Sequence, residues 1–83
     1  MSYFVYILKC ADGTLYTGIT NDPDGRIAAH NSGKGAKYTS ARLPVVFAYK
    51  EPCDSKSSAL RREIEIKKMT REGKLKLIAE RGM

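Results

Sequence analysis

The 83 residues carry 15 Lys plus Arg against 9 Asp plus Glu, a net charge of +6, with 42% hydrophobic and 29% charged side chains. This balance excludes a disordered chain, and a chain so short buries only ~60% of its unfolded surface, so one domain spanning residues 1–83 around one small core is expected. The longest apolar run, Tyr3–Leu8, falls far short of the ~20 residues a bilayer crossing needs, and the start of the chain lacks the features of a secretory signal, so the expected location is the cytoplasm with no membrane partner.

A strand is expected over residues 3–10, rich in β-branched and aromatic types, followed by a turn at Ala11-Asp12-Gly13 and a second strand at residues 14–20. Two loop types fit this hairpin. A two-residue Asp-Gly turn pairs Lys9 with Tyr16 and sends Tyr6 and Tyr16 to opposite faces, whereas a three-residue loop ending in a left-handed Gly13 pairs Cys10 with Thr14 and puts them on one face. Asp22 as N-cap, Pro23 at the first position and Gly33 at the exit define a short helix on which Arg26 and His30, four apart, share a face.

Residues 34–44 read as a basic loop, and a third strand runs from Val45 to Lys50 until Pro52 stops it. Asp54 or one of Ser55, Ser57 and Ser58 caps a long helix reaching about Met69; Thr70 caps a last helix with Leu75, Ile78 and Ala79 inward. The order β-β-α-β-α-α implies an α+β fold: a small three-stranded, at least partly antiparallel sheet flanked by helices.

Charge is unevenly spread. Residues 1–54 hold six basic and five acidic side chains, residues 55–83 hold nine and four, and no acid interrupts Arg26, Lys34, Lys37 and Arg42. The excess favours a polyanion, nucleic acid first, although a merely solvated basic surface explains the charge as well. Cys10 and Cys53 match no zinc spacing and are expected as free thiols. On a helical wheel with Leu60 at zero and ~100° per residue, Ile64 falls near +40°, Ile66 near −120° and Glu63 near −60°, inside the apolar arc. A carboxylate there needs a partner: an ion pair with Lys67, four residues on, or a metal ion.

Tyr3-Phe-Val-Tyr6 on the first strand and Leu15-Tyr16-Thr17-Gly18 on the second resemble the paired motif of the GIY-YIG nuclease superfamily. Tyr6 matches the tyrosine of the first half; Tyr16 and Gly18 match the outer letters of the second, Gly18 as a structural residue, with Thr17 in place of isoleucine and Phe4-Val5 in place of Gly-Ile. Arg26, ten residues after Tyr16, matches the family's helix arginine; His30 matches its second polar position and Glu63 its metal-binding glutamate. The stretch Asn31-Ser-Gly-Lys-Gly-Ala-Lys-Tyr-Thr39 is similar to that of small, stand-alone bacterial members.

The resemblance implies a metal-dependent endonuclease that hydrolyses phosphodiester bonds in DNA with low sequence specificity. It implies one Mg²⁺ or Mn²⁺ ion on Glu63, Arg26 on the scissile phosphate, Tyr16 as the base acting directly or through His30, and Tyr6 as the alternative base. Lys34, Lys37, Tyr38 and Arg42 are the expected nucleic-acid contacts, Tyr38 by stacking on an unpaired base. Structured or single-stranded DNA is the expected partner, RNA stays open, and the chain is expected to act as a monomer. A non-catalytic nucleic-acid-binding module on the same fold is the alternative. A basic structural protein explains the charge but not the inward Glu63.

Overall fold

A computed structural model of the chain describes residues 2–81. Its elements are β1 (Tyr3–Lys9), β2 (Leu15–Thr20), α1 (Pro23–Asn31), α2 (Lys37–Ser40), β3 (Val46–Cys53), α3 (Lys56–Lys67) and α4 (Arg71–Arg81). The strands form one antiparallel sheet in the order β2-β1-β3. This is the expected α+β order, with the single helical turn α2 added inside the segment 34–44 that reads as irregular.

The hairpin takes the three-residue loop. Gly13 has φ +85°, a left-handed conformation that suits glycine. Its N–H donates to Cys10 O at 2.9 Å, and Cys10 N–H donates to Thr14 O at 2.9 Å. The ladder therefore pairs Leu8 with Tyr16 and Tyr6 with Gly18, and Tyr6 and Tyr16 lie on one face. Thr14 belongs to the turn rather than to β2, because its N–H and hydroxyl both donate to Asp12 Oδ1, at 3.1 and 2.6 Å. The same tip holds its surroundings: Ala11 N–H donates to Arg42 O at 2.9 Å, Arg42 Nε to Asp12 Oδ2 at 3.0 Å, and Arg71 Nη2 to Gly13 O at 3.0 Å.

Asp22 caps α1 through Gly25 N–H at 3.2 Å, and Gly33, at φ +84°, ends it, as its sequence signals predict. The Asn31 amide then clasps Val45, accepting from its N–H at 2.7 Å and donating to its carbonyl at 3.1 Å, which fixes the end of α1 against the start of β3. β3 does not stop at Pro52 but runs through it to Cys53. It is an edge strand, where a residue without an N–H is tolerated.

The central strand β1 is buried on both faces over Val5–Leu8. Tyr6, Leu8 and Cys10 pack with Val45, Ile27, Leu43 and Phe47 under α1. Val5 and Ile7 pack with Tyr49 and Ile66 under α3, joined by Met69, Leu77 and Ile78. α3 begins at Ser55, which forms a reciprocal cap with Ser58. Its buried side is Ala59 and Ile66, while Leu60 and Ile64 are 41% and 53% exposed, so the sequence-based wheel was centred too far toward them. On α4 the inward residues are Leu77 and Ile78, not Leu75 and Ala79, which are exposed. Glu51 on β3 ties this layer down: it accepts from Tyr49 Oη, pairs with Arg62 at 3.2 Å and with Arg81 at 3.5 Å.

Candidate active site

The hairpin register brings Tyr6 and Tyr16 together, and α1 crosses the same face with Arg26 and His30 one turn apart. Tyr6 lies 1% exposed with its hydroxyl over Gly18, where an added Cβ would stand 2.6 Å from Oη and 2.8 Å from Cζ. A side chain at position 18 would displace the phenol, which explains glycine there. Tyr6 Oη is 3.1 Å from His30 Nε2 and accepts from Arg26 Nε at 3.4 Å. Arg26 also donates through Nη2 to Gly35 O at 3.4 Å, which leaves Nη1 outside both bonds. His30 is fully buried, and its Nδ1 is 2.8 Å from Thr39 Oγ1. Its ring meets Tyr6 and Tyr16 edge-on, with centroids at 6.1 and 5.4 Å.

Burial raises the Tyr6 pKa above that of a free phenol, with Arg26 opposing and the charges of Tyr16 and Glu63 adding to the rise. Burial, then the Arg26 charge, lowers the His30 pKa. The resting site thus holds a protonated phenol against a neutral imidazole. Glu63 reaches this site electrostatically from α3, on the other side of the sheet, where its side chain is 17% exposed and pairs with Lys67 Nζ at 3.3 Å. Both readings of Glu63 therefore start from one geometry: the inward carboxylate exists, and so does its lysine.

Residues 2–76 match the GIY-YIG catalytic domain family. The chain belongs to this family of nucleases. Among its relatives is the UPF0213 protein SH2523 of Staphylococcus haemolyticus, 58% identical over 79 residues, covering 95% of this chain and 96% of the relative. Two solution NMR structures are similar in fold. The UPF0213 protein BH0048 of Bacillus halodurans is 46% identical, covers 99% of this chain and 87% of its own, and superposes with TM-score 0.65. The protein EF2693 of E. faecalis is 39% identical over 96% of this chain and 85% of its own, with TM-score 0.66.

Within this GIY-YIG domain, Thr17 replaces the isoleucine of the second motif, and its buried hydroxyl has no partner. The expected nucleic-acid contacts divide into two groups. Lys34 and Lys37 are exposed. Tyr38 and Arg42 have partners within the chain: Tyr38 stacks on Tyr16 with centroids 6.0 Å apart, and Arg42 lies 3.9 Å over the Tyr38 ring while bonding Asp12 and the Tyr38 carbonyl. Gly35 approaches the His30 imidazole so closely that a Cβ would overlap the ring.

Two features escaped sequence reasoning. Thr39 and Gly35 form the floor under His30, joined through a helical turn that no periodicity announces in four residues. A cavity of about 260 Å³ adjoins Tyr16 at the open edge of β2, lined by Leu15, Thr17, Tyr38, Lys67 and Lys74. The lysines on α3 and α4 look like solvated helix faces in the sequence, and only the fold puts them beside the motif tyrosine.

Proposed function

We propose that this chain is a metal-dependent endonuclease that hydrolyses phosphodiester bonds in DNA with low sequence specificity. The observation that carries the reading is the hydrogen-bonded run from Arg26 through Tyr6 to His30, built on β1 and α1 in a chain of this nuclease family. A run with a cation at one end and a neutral imidazole at the other suits handling a proton beside a phosphate.

Among the described residues no three His, Cys, Asp or Glu side chains gather into a metal cage. Glu63, whose charge reaches Tyr6, is the carboxylate that would supply hard oxygens to an Mg²⁺ or Mn²⁺ ion completed by waters and substrate phosphate. Such an ion would acidify water and neutralise phosphate charge. The Arg26 guanidinium would hold the scissile phosphate through its outer edge. Tyr16, half-buried and outside the bonds that Arg26 makes, is the phenol that would take a proton from water; Tyr6, enclosed and bonded to His30, is the alternative base.

The test is incubation of the protein with branched, single-stranded and duplex DNA, and with RNA of the same sequence, with and without Mg²⁺ or Mn²⁺. Cleavage that needs metal and is abolished in Glu63→Gln, with folding retained, is the expected result. Lys67 is 54% exposed, so its pair with Glu63 is worth only ~0.5 kcal/mol and Lys67→Met should leave stability nearly unchanged. Binding without cleavage would favour the non-catalytic module, to which the existing Glu63–Lys67 pair lends some support. Full cleavage by Glu63→Gln would overturn the assignment of the metal to that residue.

A further inference from the structure

We propose that Thr39 is a positioning residue that fixes His30 with its hydrogen on Nδ1, so that Nε2 faces Tyr6 as a proton acceptor and the direction of proton movement in the site is set. The consequence for cleavage rests on the nuclease reading; the tautomer does not.

The Thr39 hydroxyl has one hydrogen. Its oxygen lies 3.0 Å from Ala36 O, which can only accept, and 2.8 Å from His30 Nδ1. If the hydroxyl hydrogen goes to Ala36 O, the hydrogen in the second contact must come from Nδ1. The reverse assignment leaves two oxygens facing each other at 3.0 Å with no hydrogen between them, at a fully buried Thr39, with Ala36 O keeping only its bond from Ser40 N–H. Neutral His30 therefore keeps its lone pair on Nε2, 3.1 Å from Tyr6 Oη, and the phenol donates to it. Arg26 Nε donates to the same phenol oxygen. Each contact then has one hydrogen and one acceptor along a directed series: Arg26, Tyr6, His30, Thr39, Ala36.

The direction has chemical content. When the Tyr6 proton moves, the phenol O–H bond breaks and an N–H bond forms at His30 Nε2. The phenolate is left beside Arg26, and both N–H groups of the imidazolium have acceptors. With the other tautomer an N–H would point at Tyr6 and His30 could take nothing from it. The lowered basicity of His30, from burial and Arg26, agrees with a ring that is neutral at rest. The groups facing the ring are Tyr6 from β1, Tyr16 from β2, Arg26 from α1 and Thr39 from α2, so among the described residues no carboxylate bonds the ring to hold it charged. The local sequence follows from this task. α2 carries Thr39 to Nδ1, and Gly35 omits the side chain that would collide with the imidazole.

The experiment is a long-range ¹H–¹⁵N correlation of the imidazole at neutral pH in wild type, Thr39→Val and Thr39→Ser, with amide spectra to verify folding. The expected wild-type signature is a protonated Nδ1 and an unprotonated Nε2. Thr39→Val removes the acceptor and should move the hydrogen to Nε2; Thr39→Ser should keep it on Nδ1. In cleavage assays Thr39→Val should lower kcat roughly 10–100-fold with little change in KM, and Thr39→Ser should restore most of it. A wild-type ring protonated on Nε2 overturns the proposal, as does a folded Thr39→Val that keeps both the Nδ1 hydrogen and full kcat. If Thr39→Val does not fold, the wild-type and Thr39→Ser spectra decide the tautomer alone. Absence of any cleavage by wild type would remove the nuclease reading and leave the spectra to judge Thr39.

Discussion

Thr17 stands where the family motif has isoleucine, buried with its hydroxyl unpaired. A buried hydroxyl without a partner costs ~1–3 kcal/mol, so Thr17→Val, which keeps the shape and removes the oxygen, should stabilise the protein by about 1 kcal/mol in urea denaturation. The two perturbed groups of the site give a pH prediction. His30 is less basic folded than unfolded, so the unfolded chain binds the proton first as pH falls below about 6.5, and stability must drop there. Tyr6 is a weaker acid folded than unfolded, so the unfolded chain loses its proton first above about pH 10, and stability must drop there too. Urea midpoints should therefore fall on both sides of neutral pH, with the acidic fall reduced in His30→Gln. At this scale the sequence showed the motif tyrosines, Arg26, His30 and Glu63, because each sits at a fixed offset within or beside a regular element. Thr39 was hidden because its partner is nine residues away, across a turn that contacts rather than propensity create.

α3 shows how a wheel can mislead. Leu60 and Ile64 are its most apolar pair, yet the helix turns Ala59 and Ile66 to the sheet and flanks them with Arg62 and Glu63. Long polar side chains bury their stems while their heads find partners, so the buried direction is not the most apolar one. Ile66→Ala should cost ~2–5 kcal/mol and Leu60→Ala less than about 0.5 kcal/mol, measured as shifts in denaturation midpoint. The reverse order would mean that α3 packs by the face its composition suggests. The hairpin was legible as an element but not in register, since both loop types fit the same residues. The Cys10–Thr14 bond, with Gly13 left-handed and Asp12 not, settles the choice, and with it which tyrosines meet. Pro52 was read as a stop because proline breaks a central ladder, but at the sheet edge β3 has no ladder on one side to break.

Across the whole molecule the +6 charge gains direction from the fold. Lys34 and Lys37 flank one side of the site, and Lys67 and Lys74 line the cavity beside Tyr16. Three or four phosphate contacts imply a log–log salt slope of about −3 to −4 for duplex DNA. Replacing Lys34 and Lys37 together with alanine should flatten it by roughly two units and Lys74→Ala by about one. Arg42→Ala should change the slope little, because Arg42 already serves Asp12 and the Tyr38 ring; a loss as large as for the lysines would place Arg42 on the phosphates. The three-residue tip between β1 and β2 has its own consequence. Exposed turns are the usual places to cut, extend or permute a chain. This one acts as a rivet driven through the molecule: Ala11 and Asp12 hold the segment under the imidazole, and Gly13 holds the first turn of α4 on the opposite side. Residues inserted after Asp12 would enter no core, yet they would loosen both plates at once.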